Sequence, residues 1–404
     1  MTTDTEAPTA EDLVGTTAAK MGLLFEALLD QAVAEVSLRD PAYLDRHPVG
    51  FPDPSDPIAE QVSRRGVRVE ASGAQPLLAR LFADTLADAE AAEAGRLALS
   101  PTPRASFEDA LAGYDRRSVG DIDYLVRRGG DRWLVLVNAV GIPLTVWARL
   151  LGDQSHDYRI LAVEPAGSSF LEGGMRSDAP LEVDIERIER VLEAEGVGRF
   201  GILGWCSGGR MAVELAARRG DQVEALVLAS ASFRGEGTGD GRPTQFEEDI
   251  GSVFGSVQRS PAGADFLSSM LVKSQGAAPG PETEAALFRL PHRDHAPALA
   301  APFASGVALS FYAARLASDR AHAIGPALAG VKAPIHAITG AHDHILNNDA
   351  TLGLLRSHAV LASASEIAGA GHYAHDLQYP YFRMLLDDAL SGRPPSQAAR
   401  VRPV

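Results

Sequence analysis

Apolar positions along the chain follow two periods that alternate through its second half. Short β-type runs at residues 122–126 and 133–137 flank Arg127-Arg128-Gly129-Gly130 and read as a hairpin-like pair. A β-run at 158–163, a helical period at 181–193, a β-run at 200–203, a helical period at 208–218 and a β-run at 225–228 follow. The alternation breaks at 231–325, which opens in the flexible segment 234–243 and continues as helical stretches including 246–257 and 302–316. It resumes with β-runs at 335–338 and 364–367, followed by helices at 350–356 and 379–390 respectively. Strands alternating with helices of this length predict an α/β fold with a mostly parallel central sheet covered on both faces. The insertion at 231–325 is a candidate helical lid.

Upstream, only the helical period is visible. Phe25, Leu28, Leu29, Ala32, Val33 and Val36 predict an amphipathic helix over 11–39, and Leu77, Leu78, Leu81, Phe82 and Leu86 predict a second over 75–93. Prolines at 41–57 make the segment between them extended, and Ser100-Pro101-Thr102-Pro103 reads as a linker. The expected organisation is therefore a helical N-terminal extension at 1–105, a core at 106–230 and 326–392 split by the insertion at 231–325, and a disordered tail at 393–404. The extension carries no recognisable chemistry. It reads as a packing appendage, a lid support or a dimer surface, which leaves a homodimer open.

Composition narrows the function classes. With 46% hydrophobic and 22% charged residues the chain is an ordinary globular sequence, and 37 Lys+Arg against 53 Asp+Glu leave a net charge of −16, which disfavours nucleic acid as a partner. No apolar run approaches the ~18 residues of a membrane span, and residues 1–6 do not begin a basic-then-apolar leader, so a cytoplasmic protein with no membrane partner is expected. The single cysteine excludes an internal disulfide and a CxxC metal site. With no dinucleotide glycine motif, phosphate loop or metal-ligand cluster, no cofactor is expected either.

That cysteine, Cys206, stands in Leu203-Gly204-Trp205-Cys206-Ser207-Gly208-Gly209-Arg210, directly after a strand and directly before a helix. A sharp strand-to-helix turn strains the central residue and crowds the positions two residues either side, where Gly204 and Gly208 stand. The turn also sets the sulfur over a helix N-terminus, which favours thiolate. A thiol nucleophile needs a base, and the base an orienting acid. Asp343 follows the 335–338 strand in Thr339-Gly340-Ala341-His342-Asp343-His344, and His372 follows the 364–367 strand in Gly369-Ala370-Gly371-His372-Tyr373. His342, His344 and His375 are rival bases, and Asp349 and Asp376 rival acids. The oxyanion hole should combine the amide of Ser207 with that of Val140 or Ile142, from the loop Asn138-Ala139-Val140-Gly141-Ile142-Pro143.

From 122 to 390 the sequence resembles the α/β-hydrolase superfamily, whose triad runs nucleophile, acid, histidine along the chain. The Gly204–Gly209 box is similar to the GxCxGG of dienelactone hydrolases and polyhydroxyalkanoate synthases, and Asp343-His344-Ile345 is similar to an Asp-His-Ile of the synthases. Leu346-Asn347-Asn348 departs from the synthase pattern, and dienelactone hydrolases lack such a lid and N-terminal unit. The layout also resembles thioesterase and acyltransferase proteins of polyketide and nonribosomal peptide pathways.

The expected function is cysteine-dependent acyl processing, as a thioesterase, acyltransferase or cyclase in specialised or acyl metabolism. Cys206 is the candidate nucleophile, His372 the base and acid, and Asp343 its orienting group. The expected partner is a small-molecule acyl substrate, free or carrier-bound; Phe254, Phe266, Leu267, Met270, Leu287, Phe303, Phe311 and Tyr312 in the lid suit either an acyl chain or a helix-packing core. An acidic carrier would need a basic patch, for which Arg64, Arg65 and Arg68, or Arg127 and Arg128, are candidates. Two other classes stay open: a lyase-like elimination or cyclisation using His372 without an acyl-enzyme, and a non-catalytic binding module.

Overall fold

Valine, leucine and isoleucine crowd the short runs of the second half because those runs are buried on both faces of one sheet. In the computed structural model the described residues are 49–51, 63, 69–71, 106–235, 242–274, 296–341, 343, 345–358, 361–367, 370–377, 379–395 and 400–402. The sheet contains β1 (Tyr114–Val119), β2 (Ile122–Arg127), β3 (Arg132–Val137), β4 (Tyr158–Val163), β5 (Phe200–Trp205), β6 (Val223–Ala229), β7 (Ile335–Gly340), β8 (Leu361–Ile367) and β9 (Arg400–Arg402), in the spatial order β9-β8-β7-β6-β5-β3-β4-β2-β1. The strands β4, β3, β5, β6, β7 and β8 run parallel, whereas β1, β2 and β9 are attached antiparallel. Every residue of β5, at the centre, is buried.

Helices cover both faces, as a parallel sheet requires. On one face α3 (Leu181–Ala194), α4 (Gly208–Arg219), α9 (Gly325–Gly330) and α10 (Asn348–Ser357) bury Ile185, Val191, Val213, Leu328 and Leu355 against the strands. On the other, α1 (Phe107–Leu111), α2 (Ala148–Gly152), α11 (Ala374–Leu377) and α12 (Tyr379–Leu390) pack Ala110, Leu150, Ala374, Phe382 and Leu386. Between β6 and β7 the chain forms α5 (Gln245–Arg259), α6 (Ala264–Ser274), α7 (Ala296–Ala300) and α8 (Gly306–Ala321). Thr244 caps α5 in a reciprocal box with Glu247 and donates to the Ile345 carbonyl at 3.1 Å, tying the insertion to the loop after β7.

Two expectations change. Residues 122–126 and 133–137 are not hairpin partners: β2 lies between β1 and β4, and β3 between β4 and β5. Gly129 and Gly130, at φ +86° and +88°, carry the chain across the start of β4, where the Asp131 amide bonds the Asp157 carbonyl at 2.9 Å. The true hairpin partner of β2 is β1, whose Asp115-Arg116-Arg117-Ser118 stretch faces solvent and shows no apolar alternation. The tail, read as disordered, contains β9, which pairs with the open edge of β8 and offers Val401 between two arginines. The helices expected over 11–39 and 75–93 lie outside the described residues; the described part of the N-terminal region includes two short strands, Val49–Phe51 and Val69–Ala71, paired in parallel.

A buried ion triad fastens α8 to the core. Arg315 is fully buried, with Asp184 of α3 at 2.7 Å and Asp319 at 2.8 Å, and it donates to the Ala179 carbonyl at 2.6 Å. Asp184 in turn accepts the Ala166 amide at 2.6 Å. Arg315→Met should strand two buried carboxylates and cost about 3–5 kcal/mol of stability, read as a lower urea midpoint, whereas joint replacement of Arg315, Asp184 and Asp319 by apolar side chains should recover most of the loss. An unchanged midpoint in Arg315→Met would show that the triad contributes nothing net.

Candidate functional site

The turn from β5 into α4 is built by what its glycines permit. Cys206 has φ +52°, a left-handed conformation that costs a side-chain-bearing residue on the order of 1–3 kcal/mol. A Cβ on Gly204 would stand 2.5 Å from the Ala212 Cβ, and one on Gly209 2.6 Å from that of Ala231. On Gly208 it would run into the carbonyl oxygens of Val137 and Asn138 at the end of β3. The turn is held open by backbone bonds: the Cys206 amide donates to Ala229 at 3.2 Å, and the Cys206 carbonyl accepts the amides of Gly209 at 3.0 Å and Ser232 at 2.9 Å. The thiol is free and partly exposed at the carboxyl end of the sheet.

Asp343 and His372 arrive from the loops after β7 and β8. Gly340 lets these loops cross closely, since a Cβ there would strike the carbonyl oxygens of Ala370 and Gly371. The side chain of Asp343 is fully buried. Its Oδ1 accepts the amides of Ile345 at 3.0 Å and Leu346 at 3.1 Å, while its Oδ2 lies 3.0 Å from His372 Nδ1. The His372 ring also interacts with the Cys206 side chain. The structure thus brings Cys206, His372 and Asp343 together at the carboxyl end of the sheet.

Electrostatics follow from that arrangement. Burial alone would lower the His372 pKa, but the Asp343 carboxylate and the Cys206 side chain outweigh it and push the value up to about 10. Burial would raise the Asp343 pKa, but His372, the Leu346 amide and the Ser230 side chain hold it below the usual carboxylate value. Ser230, at φ +38° just past β6, is a supporting residue that the sequence reading missed; a lone serine after a strand carries no signal of its own.

The rival residues are placed elsewhere or occupied. His375 is buried and stacks on Trp147 at 4.1 Å between ring centroids and edge-on to Trp205 at 4.7 Å. Asp376 lies 3.4 Å from Arg149, and Asp349 sits in the first turn of α10. His342 and His344 lie outside the described residues. Of the two loop amides, that of Ile142 donates to the Ala139 carbonyl at 3.2 Å, whereas that of Val140 points at the elbow and donates to Ser207 Oγ at 3.0 Å. The Ser207 amide is at the N-terminus of α4, where the first amides have no intrahelical acceptor.

The other candidate groups divide. Arg127 is buried and bonded to the His156 and Tyr158 carbonyls, and Arg128 is paired with Asp115, so these two do not form a free basic patch; Arg64, Arg65 and Arg68 are outside the described residues. Phe266 and Met270 face solvent at 68% and 52% exposure, away from any pocket, and Phe254 is core. Leu287 is undescribed. Among the described residues no cluster of three or more His, Cys, Asp or Glu is placed to hold a metal ion, and no helix is long and apolar enough to cross a membrane.

The raised His372 pKa has a definite sign for stability. Its paired imidazolium stabilises the fold fully below pH about 6.5, the ordinary histidine value, and that contribution disappears as pH rises through about 10. Asp343→Asn should therefore lower the His372 pKa, seen as a ring resonance that is charged at pH 8 in the parent and neutral in the variant. It should also flatten the fall in urea midpoint between pH 7 and 10. An unmoved resonance would dissociate Asp343 from His372.

Sequence and structure comparisons agree with this architecture. Residues 133–379 match the family model described as alpha/beta hydrolase fold. No curated protein matches the chain. Among solved structures, MGS-M2, an alpha/beta hydrolase enzyme from a Medee basin deep-sea metagenome library, is 18% identical with a TM-score of 0.50, covering 69% of this chain and 98% of that one. MenH from S. aureus is 14% identical with a TM-score of 0.50, covering 67% and 98%. At these identities the likeness concerns the fold alone. The family match spans more than half of the chain and coincides with the parallel sheet and the β5–α4 turn, so the chain belongs to the α/β-hydrolase fold family.

Proposed function

We propose that the protein is a cysteine-dependent acyl-processing enzyme acting on a small-molecule acyl thioester or ester, free or carrier-bound. The observation that supports this reading is the convergence of a partly exposed thiol at positive φ, a buried imidazole interacting with it, and a fully buried carboxylate behind that imidazole. In the first step the Cys206 sulfur bonds to the carbonyl carbon. The tetrahedral intermediate collapses by expelling the thiolate or alkoxide, which takes the proton from His372 Nε2. In the second, neutral His372 accepts the proton of an attacking water, alcohol or amine, and the Cys206 thiolate leaves, restoring the imidazolium pair. Asp343 keeps Nδ1 occupied, so that Nε2 is the nitrogen that moves protons. The Ser207 amide faces the developing oxyanion. Exchange of one thioester for another is nearly balanced, so a thioester substrate can acylate Cys206 without a large uphill step, and an alcohol or amine can intercept the acyl-enzyme as water can.

The test is intact mass after mixing with a panel of acyl N-acetylcysteamine thioesters. The parent should gain the acyl mass on Cys206, and Cys206→Ala should form no adduct and lose turnover by on the order of 10³-fold or more. Full turnover by Cys206→Ala without an adduct would sink the acyl-enzyme and leave His372 as the base of an elimination or ring closure. Tight ligand binding with no turnover by the parent would mark a binding module.

A further inference from the structure

Ser207 is the N-cap residue of α4, the position from which a serine normally folds its hydroxyl onto the free amides of its own helix. Here it makes no such bond. Instead Ser207 Oγ accepts the Val140 amide at 3.0 Å, from the loop after β3. That loop is held from within. Asn138 donates from Nδ2 to the Ile142 carbonyl at 2.6 Å and accepts Trp147 Nε1 at 2.9 Å, and the Ile142 amide donates to the Ala139 carbonyl at 3.2 Å. A hydroxyl that accepts one bond still has a proton to give, and among the described residues no acceptor takes it. Ser207 is partly exposed, like Cys206 beside it. Its backbone is helical, at φ −61° and ψ −24°, so its Cβ leans toward the start of α4, the end at which the thiol stands. The hydroxyl therefore sits between the two amides expected to share an oxyanion: it is bonded to that of Val140 and belongs to the same residue as the other.

We propose that Ser207 is a further catalytic residue, whose hydroxyl, held by the Val140 amide, donates to the acyl oxygen while the acyl carbon is tetrahedral on Cys206. This rests on the acyl-enzyme reading of Cys206. As the sulfur–carbon bond forms, the carbonyl π pair moves onto oxygen, where the amide and the hydroxyl of Ser207 both meet it. The hydroxyl keeps its proton throughout, and the pair returns to the carbonyl when the leaving thiolate or alkoxide departs. The Val140 amide acts at one remove: its bond to Oγ strengthens the hydroxyl as a donor and fixes it before the charge develops.

Ser207→Ala distinguishes a donor from an obstruction. A hydroxyl that only blocked the Val140 amide would, on removal, free that amide and raise turnover. Three probes read the difference: an acyl N-acetylcysteamine thioester; an alkyl trifluoromethyl ketone, which adds to Cys206 and creates an oxyanion; and iodoacetamide, which alkylates Cys206 and creates none. Ser207→Ala should lower kcat by about a hundredfold with KM within about twofold, and weaken the ketone by a similar factor. Iodoacetamide labelling of Cys206 should be unchanged. The isosteric pair Ser207→Thr and Ser207→Val repeats the comparison at matched shape: the threonine variant should stay within about tenfold of the parent, and the valine variant should fall as far as Ser207→Ala. Unchanged or higher kcat and ketone affinity in Ser207→Ala would overturn the Ser207 role while leaving Cys206 in place. Equal losses in the threonine and valine variants, or a parallel fall in iodoacetamide labelling, would do the same. A parent that forms neither acyl nor ketone adduct, matching Cys206→Ala, would overturn the acyl-enzyme reading and the Ser207 role with it.

Discussion

The backbone of one residue, Cys206, sets the terms for the rest of the site. A left-handed turn at a non-glycine residue is unfavourable in isolation, and it persists because surrounding contacts determine it more strongly than the strain opposes it. Three neighbouring glycines are part of that determination. At 204, 208 and 209 they let helix, strand ends and the segment after β6 approach to distances that any side chain would prevent. The same turn that exposes the sulfur puts the Ser207 amide at a helix start, so the thiol and that helix-start amide come from one local constraint.

The second constraint is the brace between loops. Trp205, the last residue of β5, donates from Nε1 to the His372 carbonyl at 3.3 Å, and its ring lies against His372 and His375. The imidazole is therefore fixed from two sides, by the elbow strand through its backbone and by Asp343 through its ring. Asp343 is fixed by two amides of its own loop and by Ser230 from the next strand over. Loops at the carboxyl ends of three neighbouring strands thus hold one another, which is how a site on loops attains the precision of a site on the sheet.

What the sequence discloses follows from burial. The strands β3 to β8 are visible because they are apolar on both faces, and α3 and α12 because they are amphipathic. The edge strands β1 and β9 are hidden by their charges: Asp115, Arg116 and Arg117 in one, Arg400 and Arg402 in the other. The chain positions of Cys206, Asp343 and His372 can be read because each follows a strand in a glycine-containing turn or loop. Ser230 cannot, since its significance arises only when Asp343, more than a hundred positions away, folds against it. Which acceptors engage the Val140 and Ile142 amides, Ser207 Oγ and the Ala139 carbonyl respectively, is likewise a matter of the folded loop.

The buried triad around Arg315 bears on how a substrate reaches this site. Arg315 and Tyr312 are three residues apart, so they project from neighbouring parts of the α8 surface. Raising α8 as a hinged flap would withdraw Arg315 and leave the Asp184 carboxylate in the protein interior without its cation. The α8 helix is consequently held against α3 and is not free to swing away as a unit.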